Sequence, residues 1–214
     1  LAKRHSGYTR EEIARETGLP LGGGLSDTLS ALIESDFVLR YTPYGKPGNV
    51  EHYKLIDNFC LFWLKYVEDN HSDTSFMTDH VTSDIMRSWR GVAFEEVCWQ
   101  HITQIKRALE IGGVKSSLSA WNVKGDDTKE GVQIDLLIIR DDNVVSLCEM
   151  KFASNAYTID KDEDAKLRSR IEALKGMLTP KQTVHLTMVT TYGVAYGKHS
   201  GLVQKEVVMD DLFR

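Results

Sequence analysis

No apolar run in this sequence is long enough to cross a bilayer. The longest, at residues 134–139 and 59–63, fall far short of the about 20 residues a membrane helix needs. No signal peptide opens the chain, because Lys3, Arg4 and His5 lead into polar sequence without an apolar core. Cysteine is scarce: Cys60, Cys98 and Cys148 each lie in an apolar run and none has metal-binding spacing. That predicts buried free thiols and a reducing, cytoplasmic location, with no membrane partner. An excess of positive charge is also missing. The chain has 26 Lys and Arg against 31 Asp and Glu, a net charge of -5, so any DNA contact must come from a local basic patch. The seven histidines have no ligand spacing, and no Ser or Cys has an identifiable neighbouring base, which argues against zinc and nucleophile chemistry. No G-x-x-x-x-G-K-[ST] occurs, and Gly22-Gly23-Gly24 lacks a following Lys, so no ATP site is expected.

What is present is an ordinary globular composition, 42% hydrophobic and 27% charged, over 214 residues. That length accommodates one large domain or two small ones. The chain starts at Leu1 without an initiator Met, which reads as part of a longer polypeptide.

Residues 1–68 read as a winged helix-turn-helix. Thr9 and Glu12 form a capping-box pattern, and the helix they start should stop at Gly18. After the glycine run, Leu25, Leu29, Leu32 and Ile33 recur at helical spacing. Strands near 37–41 and 53–56, separated by Pro43, Gly45, Pro47, Gly48 and Asn49, would form the wing. The second helix carries Asp27, Glu34 and Asp36 and no Lys or Arg between 22 and 36, a poor surface for a DNA groove. Candidate nucleic-acid contacts lie instead on the wing, at Arg40, Lys46 and Lys54. With 8 Lys and Arg against 9 Asp and Glu, this segment favours a packing or hinge role over sequence-specific reading. An aromatic amphipathic helix follows at 57–67. The polar stretch 69–88 reads as a linker, with a short helix possible near 81–86.

Residues 89–214 have an α/β rhythm: a helix over 89–109, and strands near 117–123, 132–139 and 144–152. A helix over 160–178 and strands near 184–190 and 203–208 complete it. Glu149 and Lys151 share a face of their strand because side chains alternate. A three-residue turn at 141–143 would set Asp135 directly opposite Glu149. Charges on such apolar strands (QIDLLII, LCEMKF) are costly unless paired or metal-bound. Two facing carboxylates repel unless a cation lies between them. A hard ion such as Mg²⁺ fits this need, and Lys151 beside it could orient water, assist its deprotonation or offset charge on a phosphate. The competing explanation is a cross-strand ion pair, worth at most about 1 kcal/mol.

With GVAFEE at 91–96, QIDLLI and LCEMKF, the segment resembles the PD-(D/E)XK nuclease superfamily. The resemblance implies a restriction-endonuclease-like mixed sheet and a catalytic set of Glu95, Asp135, Glu149 and Lys151. Asp135 and Glu149 would hold Mg²⁺ or Mn²⁺, and Glu95 would support a ligand or water. Ile134 stands where the motif's name has Pro. Glu96 faces about 100° from Glu95 on a helix, so one of the two should reach the site. Across the whole chain, TREEIARETGL, GGGLSDTL, LIDNFCLFWLKYV, YTID and VVMDDLF resemble the C-terminal half of prokaryotic AAA-type ATPases. That implies an ATPase-domain partner outside this chain, DNA as substrate, or a non-catalytic scaffold built on the same fold. Lys161, Arg168 and Lys175 recur every seven residues as a possible phosphate-tracking stripe, although a solvated helix face explains them more simply.

Overall fold

A computed structural model describes residues 1–45, 50–68, 75–123 and 131–214 of the protein. It is mixed α/β, with a two-stranded sheet and a five-stranded mixed sheet. Two compact units divide the chain, Leu1–Glu96 and Val97–Arg214.

In the first unit, helix α1 (Arg10–Thr17) starts at the capping box: Thr9 Oγ1 accepts from the Glu12 amide, and Glu12 Oε2 accepts from the Thr9 amide at 2.8 Å. Gly18 closes it in the left-handed region. Helix α2 (Gly23–Glu34) begins inside the glycine run instead of after it, with Gly22 as its cap. Burial of Leu25 and Leu29 offsets the weak helix preference of glycine there. Strands β1 (Val38–Tyr41) and β2 (His52–Leu55) pair antiparallel, with Val38 opposite Leu55. Ile13, Ala14, Leu25, Leu29, Val38 and Tyr53 form the core. Residues 46–49, which include the expected wing tip and Lys46, lie outside the described residues.

Tyr8 extends this sheet by a two-way backbone bridge to Tyr53, at 3.0 and 2.8 Å. Gly7, at φ +68°, lets the chain approach so closely that a Cβ would sit 2.5 Å from the Tyr53 carbonyl oxygen. One departure follows from this packing. Strand β2 does not alternate inside and outside, because His52, Tyr53 and Lys54 are all buried.

Helix α3 (Asn58–Phe62) is capped by Asp57 and widens into a π-helical turn over Trp63–Val67. The stretch expected as a linker carries helix α4 (Phe76–His80) and the start of helix α5 (Asp84–Gln100), while 69–74 lie outside the described residues. Its polar composition hid an aromatic cluster: the rings of Phe62, Tyr66, Phe76 and Trp89 lie 5.3–6.3 Å apart in neighbouring pairs.

In the second unit, helix α6 (Ile102–Ala108) follows a break at His101, so the expected single helix over 89–109 is two. Strands β3 (Ser116–Val123), β4 (Val132–Arg140) and β5 (Val144–Lys151) form an antiparallel meander. Helix α7 (Lys161–Lys175) then crosses to strand β6 (Thr183–Thr190), which pairs parallel with β5, and strand β7 (Lys205–Val208) pairs parallel with β6. The order is β3-β4-β5-β6-β7. Leu136, Leu137 and Ile138 are all fully buried, which explains why β4 reads as continuously apolar. Residues 124–130, the expected charged loop, lie outside the described residues.

Among the described residues no helix is long and apolar enough to cross a membrane. All three cysteines are free; Cys98 and Cys148 are buried, but Cys60 is half-exposed, contrary to the expectation for all three.

Candidate functional site

The hairpin of β4 and β5 turns through Asp141-Asp142-Asn143, with Asn143 in the left-handed region that Asn tolerates. Three turn residues set Ile139 opposite Val145 and Leu136 opposite Cys148. The paired register ends there; continued by one residue it would set Asp135 against Glu149. Glu149 and Lys151 share one face of β5 by strand alternation, and Asp135 lies on the neighbouring strand.

That face lies under helix α7. Glu149 is 2% exposed, and its Oε1 is 2.9 Å from Lys151 Nζ and 2.6 Å from Arg170 Nη1. Lys151 Nζ also reaches Glu163 Oε1 at 3.3 Å. Glu163 and Arg170 stand seven residues apart on α7, two helical turns, so both point at the strands. The cluster thus brings the Glu149 and Glu163 carboxylates together with the Lys151 and Arg170 cations. Asp135 Oδ2 accepts from the Met150 amide at 3.4 Å. Glu149 Oε2 is buried with no hydrogen-bond partner.

Charge states follow from these contacts. Burial alone would lower the pKa of Lys151, but the Glu149 and Glu163 carboxylates outweigh it and the net shift is upward. Lys151 is a cation held between two carboxylates, placed to orient water or offset phosphate charge. Burial is the largest influence on the Tyr157 phenol, which is pushed up to about 12 with Glu163 adding to the effect. Tyr157 is pinned at its place by backbone hydrogen bonds to Gly193 and Ala195, both 2.8 Å.

The chemistry of the donor set fits a hard divalent cation with few protein ligands. Glu149 Oε2 is an orphaned buried anion oxygen, and Asp135 lies on the neighbouring strand. Among the described residues no three His, Cys, Asp or Glu side chains converge as a ready-made metal cage. Water and a phosphate oxygen would have to complete the coordination, as is usual for Mg²⁺.

The other expected site residues have surroundings of their own. Glu95 belongs to the first unit, where its Oε2 is 2.6 Å from His5 Nε2. Its neighbour Glu96 is wholly buried, 2.9 Å from Lys54 Nζ and 3.3 Å from His5 Nδ1. Lys54 is thereby corrected as a nucleic-acid contact: it is 6% exposed and its charge is committed to Glu96. Arg40 is exposed beside Glu51 at 3.6 Å. Lys46 lies outside the described residues. On α7, Lys161, Arg168 and Lys175 face solvent, with Arg168 bonded to Asp164 and Lys175 to Glu172. Those local pairs match the solvated-face explanation.

Sequence reading overlooked Glu163 and Arg170 as site residues. Their signal was present as a charged i, i+7 pair on the helix face next to the buried Leu167 and Leu174, but nothing local said that this face meets β5.

No family model matches the chain, and no curated protein matches it. Among solved structures, a protein described as of unknown function, AF1548, is similar at 19% identity. The match covers 52% of this chain and 56% of that one, with a TM-score of 0.35, too low to bear on fold or activity.

Proposed function

We propose that the second unit is a metal-dependent phosphodiesterase of the PD-(D/E)XK kind, acting on DNA. The observation that carries this reading is a buried Glu149 oxygen left without a partner on a hairpin whose adjacent strand carries Asp135. The β3–β5 meander followed by a helical crossover to parallel β6 supports the restriction-endonuclease-like fold. The order α1, α2, β1, β2 supports a winged helix in the first unit. DNA as substrate and an ATPase-domain partner rest on the sequence resemblance.

Asp135 and Glu149 would hold Mg²⁺ or Mn²⁺, which when bound polarises the phosphate and lowers the pKa of a ligand water. Lys151 supplies a permanent positive charge beside that position, where it stabilises negative charge developing on the phosphate oxygens. Glu163 holds the Lys151 ammonium in place, 3.3 Å away. The resemblance assigns Glu95 a supporting role; its carboxylate is engaged by His5.

A second reading, a non-catalytic scaffold, is favoured by one observation: Lys151 and Arg170 already neutralise Glu149 without any metal. Cleavage of linear, circular and single-stranded DNA with Mg²⁺ or Mn²⁺ separates the two. The nuclease reading expects cleavage by wild type and none by Asp135→Asn or Lys151→Ala. Equal cleavage in all three would mean a contaminant, and metal binding without cleavage would support the scaffold.

A further inference from the structure

Two cations crowd one oxygen of Glu149 while the other oxygen has no partner. Lys151 Nζ and Arg170 Nη1 both lie on Oε1, at 2.9 and 2.6 Å, and Oε2 is buried alone. Lys151 has a second anchor at Glu163, 3.3 Å away, and its backbone is paired with Thr190 of β6. Arg170 differs. It reaches the carboxylate from α7 on a long stem, and Glu149 is its one ion-pair partner among the described residues, at 2.6 Å.

A divalent ion brought to Glu149 would meet two cations already on the same carboxylate, and like charges repel strongly in a largely buried space. If one resident cation withdraws, that repulsion weakens. Arg170 can leave by rotating its own side chain toward solvent, since it is already 23% exposed, without disturbing β4 or β5.

We propose that Arg170 is a built-in competitor for the metal, occupying the charge position on Glu149 that a divalent cation needs, so that the cation binds only as the guanidinium withdraws. The inference rests on the metal-site reading above and adds a regulated affinity to it. In this arrangement two cations compensate the buried Glu149 carboxylate while no metal is bound, and the bound site has a displaced Arg beside it.

The test is calorimetric titration of Mn²⁺ into the 214-residue chain as wild type, Arg170→Gln and Asp135→Asn. Removing the competing unit charge should tighten Mn²⁺ binding by at least about tenfold. Wild-type binding that is lost in Asp135→Asn, together with equal or weaker binding in Arg170→Gln, overturns the competitor role and leaves the metal site standing. No Asp135-dependent binding in any variant overturns the metal site and this inference with it. Because Arg170→Gln removes one of two cations from a buried carboxylate and could fail to fold, the wild type offers a second readout. The Arg170 side-chain Nε–H resonance should shift on saturation with Mg²⁺, and a resonance that stays put at saturation refutes the withdrawal.

Discussion

Lys54 Nζ lies 2.9 Å from Glu96 Oε1, and the two side chains are 7% and 0% exposed. A charge pair so deeply buried is held by mutual need: each ion removed from water requires the other. It joins the second strand of the two-stranded sheet to α5 within the first unit.

Breaking that pair one-sidedly should be severe. Lys54→Met leaves the Glu96 carboxylate buried without its ammonium and should cost about 3–5 kcal/mol in urea unfolding. The double variant Lys54→Met/Glu96→Met should recover much of that loss. A single variant within 1 kcal/mol of wild type, on the order of an exposed pair, would show that the side chains are not buried together.

Glu96 also predicts a pH dependence. Burial raises its pKa, more than Lys54 and His5 lower it. A folded pKa above the unfolded one means that the folded chain favours the protonated acid. The stability this group contributes is therefore fully present below the unfolded pKa and is lost as pH rises through the folded one. Compared with Glu96→Gln, wild type should lose unfolding free energy steadily as pH climbs from the ordinary carboxylate range. Parallel stability profiles for the two proteins would contradict the assignment.

Gly7→Ala should destabilise the first unit. The new methyl group would meet the Tyr53 carbonyl oxygen at 2.5 Å, at a backbone angle of +68° that L residues rarely adopt. The expected cost is about 1–3 kcal/mol, read as a lowered melting temperature by circular dichroism. Gly18→Ala is the control: its φ is similar but nothing lies within 4 Å, so its loss should be the smaller.

At the hairpin, Lys151→Met separates charge from metal binding. If the nuclease reading holds, the DNA cleavage rate should fall by about 10²-fold or more, as when a group that stabilises developing charge is removed. Mn²⁺ affinity should not weaken, because a cation has left the ligand Glu149. Weaker metal binding in Lys151→Met would assign Lys151 to holding the site together.

The hairpin was readable because its determinants are local. Strand alternation puts Glu149 and Lys151 on one face, and a turn of three residues sets the register that pairs Ile139 with Val145 and Leu136 with Cys148. The same holds for the α1 cap at Thr9 and its stop at Gly18, where the deciding groups lie within a few residues of one another. Where composition stood in for contacts, the reading failed. The polar stretch 69–88 holds a helix and the start of another because Phe76 and Trp89 have aromatic partners distant in sequence.

Lys54 and Arg170 mark the other side of that line. Nothing near Lys54 in sequence reveals that its ammonium turns inward; the acid that draws it, Glu96, is 42 residues away. Arg170 reads as one more charge on a solvated helix until α7 is laid across β5 and its guanidinium meets Glu149. Pattern and turn length specify which side chains share a face. Which charges neutralise one another depends on how separate elements pack, because desolvation and Coulomb energy act through space, whatever the distance along the chain.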